Sequence, residues 1–173
     1  TGFRQSLGGL HQEVGVNPDI AIFGKALGNG YAITAIIGKG NIMKHAKNSF
    51  ISSTFWSERS GPVAANKTLE IMEKTKSWKI ITEIGNEVQS KWKLLARKNN
   101  IKININGIPA LSSFSIASDN WLKYKTFITQ EMLKKGFLAT NAIFVSVKHN
   151  RKILKTYFEI LDELFHKISE FEA

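Results

Sequence analysis

Lys25 is the residue of this sequence best placed for covalent chemistry. A short run, Ile20-Ala21-Ile22-Phe23, ends in Gly24-Lys25, passes through Ala26-Leu27-Gly28-Asn29-Gly30 and resumes as a second apolar run from Tyr31 to Ile37. That order puts one lysine at the end of a buried strand, beside backbone flexible enough for a ligand to approach closely. An amine so placed can attack a carbonyl carbon and form a Schiff base. It must lose its proton to do so, which desolvation or a nearby positive charge favours. Phe23 and Ala26 are the apolar neighbours that could supply the desolvation. Most lysines are solvated surface charges, so the residues around Lys25 carry this reading.

Other chemistries find less support. The four histidines, His11, His45, His149 and His166, form no i, i+4 pair with an acid between them, the spacing a helical zinc site uses. There are no cysteines, which excludes disulfides and thiolate metal sites. We expect no metal. His11 could border a pocket around Lys25, although a satisfied polar contact is its simpler role.

The elements that must position Lys25 follow from short-range pattern. Residues 19–23 and 31–37 read as strands, and Asn29 and Gly30 as the residues that tolerate a left-handed turn between them. Residues 41–47 suggest a short helix. From Gly61 the period becomes helical, with Val63, Ala64, Leu69, Ile71 and Met72 on one face and Pro62 in the first turn. A second helix over 77–98 carries Ile80, Ile81, Ile84, Val88, Trp92 and Leu95 at spacings of three and four, and ends basic, as the negative pole of a helix dipole favours. Ile101, Ile103 and Ile105 then alternate with polar residues, the period of a half-buried strand. Asn106-Gly107 is expected to turn the chain into a strand over 111–117. A helix over 120–135 stops at Gly136, and a short strand follows over 144–147. The last helix, over 150–170, places Leu154, Tyr157, Phe158, Leu161, Leu164, Phe165 and Ile168 on a core-facing stripe.

This order predicts an α/β region followed by a smaller α+β unit, with a boundary near residues 90–100. The 173 residues, 43% hydrophobic and 22% charged, have the balance of a folded chain. No apolar run approaches the ~20 residues of a membrane span, and no signal peptide is visible, so a cytoplasmic protein is expected. The net charge of +10 invites a nucleic-acid partner. Only four of the 24 basic residues are arginine, however, and the lysines are spread along the chain rather than gathered in a stripe. Abundant Ile, Lys and Asn fit a codon bias better than a polyanionic ligand.

Four blocks carry a resemblance. Thr1-Gly2-Phe3-Arg4, Gly15-Val16-Asn17-Pro18-Asp19 and Phe23-Gly24-Lys25-Ala26-Leu27-Gly28-Asn29-Gly30 resemble the core of class III (fold-type I) pyridoxal-phosphate-dependent aminotransferases. Within that class they are most similar to the glutamate-1-semialdehyde 2,1-aminomutase-like group. Ser53-Thr54-Phe55-Trp56-Ser57-Glu58-Arg59-Ser60-Gly61-Pro62 resembles the threonine loop of the same class. The match runs in order through nearly the whole chain.

The resemblance implies that residues 1–95 are the C-terminal part of the large, cofactor-binding domain and 96–173 the small C-terminal domain. It implies pyridoxal 5'-phosphate held as a Schiff base on Lys25, and a homodimer in which Thr54, with Ser53 beside it, reaches the phosphate of the neighbouring subunit. It implies a small amino or keto substrate, and either a transaminase or an aminomutase. In relatives an Asp-Glu pair just before the Thr-Gly-Phe-Arg stretch and a phosphate loop complete the cofactor cradle, so the chain is expected to be the C-terminal part of a longer enzyme. The competing expectation is a non-catalytic remnant that keeps the scaffold without that cradle. The link from Phe55 to Gly61 departs from the shorter link of many members and is similar to a branch found among polysaccharide-biosynthesis aminotransferases. Arg59 in that link could clamp a substrate anion, but a plain Glu58–Arg59 surface loop is the simpler reading.

Overall fold

The computed structural model describes residues 2–172. The chain divides into two compact units, the first ending at Trp78 and the second beginning at Lys79.

The first unit is built around a two-stranded ribbon. A one-turn helix, α1 (Leu10–Glu13), precedes β1 (Ile20–Phe23), which pairs antiparallel with β2 (Ala35–Gly38) in the register Ile20↔Gly38 to Phe23↔Ala35. β2 is shorter than the expected 31–37 because Tyr31 is still bonded into the preceding turn, its N–H donating to Gly28 O at 3.2 Å. Lys39 closes the open end of the ribbon twice, through its N–H to Asp19 O at 3.0 Å and its ammonium to the Asp19 carboxylate at 2.8 Å. The short helix α2 (Gly40–Met43) continues as a 3-10 turn to Asn48, close to the expected 41–47. α3 (Ser60–Thr75) starts where the Glu58 carboxylate accepts both the N–H and the hydroxyl of Ser60, at 3.0 and 2.6 Å. The Ser60 hydroxyl, more than any other group, holds the Glu58 carboxyl below its usual range. The face α3 buries is Gly61, Ala65 and Met72, whereas Val63 and Ile71 of the expected stripe are exposed.

The second unit holds most of the core. It comprises α4 (Ser77–Lys98), whose first two residues precede the division, β3 (Ile103–Ile108), β4 (Leu111–Ile116), α5 (Trp121–Lys134), β5 (Ala142–Phe144) and α6 (Arg151–Glu172). The strands form an antiparallel sheet in the order β3-β4-β5. The expected boundary near residue 95 falls inside α4, because the buried side of that helix, Val88, Trp92, Leu95 and Ala96, belongs to the same core as α5 and α6. All seven residues of the stripe read on the last helix are buried in α6.

One turn differs from expectation. Asn106 and Gly107 lie within β3, opposite Ser113 and Ser112, and the chain reverses at Pro109-Ala110. Proline pre-sets φ for the first corner of a tight turn and cannot donate to a ladder, so Pro109 takes the corner. Gly107 serves the strand instead, with φ +91 and so little room that an added Cβ would stand 2.2 Å from Leu111 O. Among the described residues no helix is long and apolar enough to cross a membrane.

Candidate active site

The chain enters the site from β1 through an extended Gly24 and turns at once into a 3-10 turn, Lys25–Leu27, closed by Leu27 N–H to Gly24 O at 3.1 Å. Lys25 has φ +48, in the left-handed region that costs an L-residue about 1–2 kcal/mol. Strain of this kind gathers at functional sites, where the surrounding structure holds it. Asn29 and Gly30 follow at φ +47 and +112, the left-handed pair expected from their types.

Burial falls one step away from where the strand-end reading put it. Leu27 and Gly28 are buried, and anchor the turn, while Lys25 and Ala26 are exposed. The side chain is therefore not desolvated by its own unit. It lines a cleft of about 730 Å³, together with Phe3, Arg4, Leu10, His11, Phe23 and Thr34. The ring of Phe23 stands 5.5 Å from Phe3 and 6.2 Å from His11, centre to centre. No Asp or Glu is among the described residues that line this cleft. Its ionisable groups are Arg4, His11 and Lys25, which suits an anionic or carbonyl-bearing ligand.

Residue chemistry alone does not single out Arg4, and gives His11 a simpler role. Arg4 could have been found through its place in the first block of the resemblance. Nothing local marked His11, because its approach to Phe23 depends on the return of the chain from α1 to β1.

Ser53 and Thr54 do not share the Lys25 cleft. They sit on an exposed loop before α3, in a turn closed by Trp56 N–H to Ser53 O at 3.2 Å and Glu58 N–H to Phe55 O at 3.0 Å. The two hydroxyls differ. Ser53 Oγ already accepts the Phe55 N–H at 3.2 Å, whereas the Thr54 hydroxyl has no hydrogen-bond partner among the described residues. Phe55 and Trp56 beside it are 72% and 71% exposed. Glu58 and Arg59 form no ion pair, and the Glu58 carboxylate is engaged by Ser60.

Among the described residues no cluster of His, Cys, Asp or Glu could hold a metal ion. Two buried oxygens, Gln5 Oε1 and Ser6 Oγ, follow Arg4 in the chain and have no hydrogen-bond partner among the described residues, a condition that native interiors seldom leave unmet.

Comparison with known proteins places this chain in a lineage. The profile of the family described as aminotransferase class-III matches residues 5–169. A 3-aminobutyryl-CoA aminotransferase of Cloacimonas acidaminovorans is 34% identical over 151 residues, which is 87% of this chain and 34% of that protein. A glutamate-1-semialdehyde 2,1-aminomutase of Hyperthermus butylicus is 26% identical over 185 residues, 97% of this chain and 43% of that protein. Among solved structures, the FumI protein of Sphingopyxis sp. MTA144, in its PLP internal aldimine form, superposes with a TM-score of 0.89 at 22% identity, covering 99% of this chain and 42% of that one. The acetylornithine aminotransferase of Elizabethkingia anophelis superposes with a TM-score of 0.82, also at 22% identity, over 96% of this chain and 44% of that one. The chain thus spans less than half the length of each of these relatives. The α/β fold is that of the transaminase structures, and with the family profile matched from residue 5 to residue 169 the chain belongs to the class-III aminotransferases.

Proposed function

We propose that the chain carries the lysine-bearing part of a pyridoxal-phosphate-dependent enzyme that moves an amino group, with Lys25 Nζ as the covalent attachment point of the cofactor. The observation that carries this reading is the left-handed backbone of Lys25 at the edge of a cleft that has no Asp or Glu among the described residues lining it. The donor set fits the group: an amine for the aldehyde, a guanidinium and an imidazole for anionic oxygens, and the Phe3 and Phe23 rings for an aromatic face.

When bound, the cofactor supplies the electron sink that lets a bond at the substrate's α-carbon break. Lys25 holds it before substrate arrives. With its amine free, Lys25 Nζ would take the α-proton and return it at the neighbouring position, a general base and then a general acid. Arg4 and His11 draw the anionic groups of cofactor or substrate into the cleft. Thr54, whose hydroxyl has no partner among the described residues, is the donor we assign to the cofactor phosphate, reaching the site of a second subunit in a homodimer. Ser53 is the weaker donor because its oxygen is engaged by Phe55. The substrate is a small amino or keto compound, and the amino group moves either between two molecules or within one.

The test is covalent. The protein is incubated with pyridoxal phosphate, reduced with borohydride and digested, and the peptides are weighed. A pyridoxyl mass on the Lys25 peptide, absent in Lys25→Ala, is the expected result. Labelling spread over surface lysines, or none, would leave the non-catalytic scaffold as the better reading. In the same assay Thr54→Val should weaken cofactor retention by about tenfold, the loss of one hydrogen bond to a charged group, and Ser53→Ala by less.

A further inference from the structure

We propose that Asn29 is a site of spontaneous covalent modification, at which the Gly30 main-chain nitrogen closes onto the Asn29 side-chain amide and the ring reopens to an isoaspartyl or aspartyl residue. This inference does not depend on the chemistry assigned to Lys25.

The sequence holds two Asn-Gly pairs, Asn29-Gly30 and Asn106-Gly107. A glycine has no side chain to hinder attack by its own nitrogen, and its backbone bends readily toward a five-membered ring. The step needs no partner but water. A bond forms between Gly30 N and Asn29 Cγ, the Cγ–Nδ2 bond breaks, and the amide nitrogen leaves as ammonia with the proton of the Gly30 N–H. Water then cleaves one of the two carbonyl–nitrogen bonds of the cyclic imide. Cleavage on one side gives aspartate. Cleavage on the other gives isoaspartate, whose main chain runs through the former side-chain methylene.

Folding leaves the first pair free to react. Asn29 and Gly30 are both exposed, in the turn that follows the buried Leu27 and Gly28. The neighbouring N–H groups are engaged, Asn29 to Lys25 O at 3.3 Å and Tyr31 to Gly28 O at 3.2 Å. The Gly30 N–H and the Asn29 side chain, the two groups that must meet, have no hydrogen-bond partner among the described residues. A Cβ added at Gly30 would find no neighbour within 4 Å, so the link has room to turn.

The second pair is held. Asn106 and Gly107 stand in the β3–β4 ladder opposite Ser113 and Ser112. Ser112 is buried, and its hydroxyl donates to Ile108 O at 2.8 Å while accepting Gln89 Nε2 at 2.6 Å. Ring closure at Asn106 therefore requires β3 to part from β4, whose Phe114 and Ile116 belong to the main core. A reaction that proceeds only from an opened form is slowed by the free energy of opening.

The product alters the surroundings of Lys25. It adds a carboxylate four residues along the chain, next to a cleft with no Asp or Glu among the described residues lining it. Isoaspartate also lengthens the main chain inside the turn that Tyr31 N–H closes on Gly28 O, so that closure is lost.

The test is to age the full chain in mildly alkaline buffer, with and without urea, and to digest samples with trypsin over time. Cleavage after Lys25 and Lys39 releases residues 26–39, in which Asn29 is the sole side-chain amide. Cleavage after Lys102 and Lys123 releases residues 103–123, where fragmentation separates Asn106 from Asn104 and Asn120. In the folded protein the 26–39 peptide should gain one mass unit, as separable isoaspartyl and aspartyl forms, at least about tenfold faster than Asn106 does. In urea the two pairs should react alike, because folding alone distinguishes them. The proposal is overturned if Asn29 stays intact in the folded chain, if both pairs react equally there, or if Asn106 remains slow in urea. Aspartate without isoaspartate would also overturn it, since direct hydrolysis of the amide passes through no ring.

Discussion

The indole Nε1–H of Trp92 donates to the hydroxyl oxygen of Tyr157 at 3.0 Å, across 65 positions of sequence. Both residues are buried, and the bond ties α4 to α6 within an aromatic core in which Trp92 meets Phe114 edge-on at 4.9 Å and Phe114 meets Phe165 at 5.6 Å. Tyr157→Phe leaves the indole donor buried without a partner, which should cost about 1–3 kcal/mol in urea denaturation. Trp92→Phe should cost more, since it also removes ring area. Burial pushes the Tyr157 hydroxyl above its ordinary range, and the hydrogen bond from Trp92 only partly offsets this. In the unfolded chain tyrosine loses its proton near pH ~10, while folded Tyr157 keeps it. The unfolded state then binds fewer protons, so stability falls as pH rises past about 10. Tyr157→Phe should flatten that alkaline decline.

Hydrogen exchange should divide at the end of α3. The fully buried large side chains, Trp92, Phe114, Ile128, Met132, Leu161, Phe165 and Ile168 among them, all lie in the second unit, whereas the buried apolar residues of the first are Leu27, Ala65 and Met72. Opening free energy follows the apolar contact a segment makes. Amides of α4, β4 and α6 should therefore exchange through the slowest, global opening, and those of β1 and β2 much sooner. Equal protection in both units, read by mass spectrometry of peptides, would contradict this.

Gly85 is a point of close approach rather than of backbone freedom. A Cβ there would stand 2.0 Å from Pro109 O and 3.0 Å from Ala110 N, both main-chain atoms of the β3–β4 turn. Alanine usually strengthens a helix interior by up to ~1 kcal/mol over glycine. Here the clash should dominate, and Gly85→Ala should lower stability by about 2–4 kcal/mol in chemical denaturation.

The end of α6 is pH-sensitive in the acid direction. The Glu172 carboxylate accepts hydrogen bonds from Tyr124 Oη and, at 2.7 Å, from Ser118 Oγ. The Tyr124 bond, and then that of Ser118, holds the Glu172 carboxyl below its usual range. A carboxylate with a lowered folded value stabilises above the ordinary glutamate range near pH ~4.3 and loses that contribution as pH falls through the folded value. Melts of the parent and Glu172→Gln from pH 3 to 8 should differ at neutral pH and converge in acid. The same hydrogen bond raises Tyr124, so its phenol should titrate later than a free tyrosine in the parent and earlier in the variant.

Local chemistry was readable from the chain where one short segment carries it. The glycine-rich passage after Lys25, the left-handed Asn29-Gly30, the start of α3 at Ser60-Gly61-Pro62 and the seven-residue stripe of α6 all depend on neighbours within two or three turns. The class-III relationship rests on such short blocks too, and the family match from residue 5 to residue 169 agrees with it.

What tertiary structure decided depends on distant partners. The exposure of Lys25, the approach of His11 and Phe3 to Phe23, and the transfer of α4 to the second unit follow from chain returns that no local period encodes. Even the β3–β4 turn required knowing which strand residues pair, because both Asn106-Gly107 and Pro109-Ala110 can reverse a chain. Turn propensity is set by one residue's torsions, whereas register is set by the whole face a strand must bury.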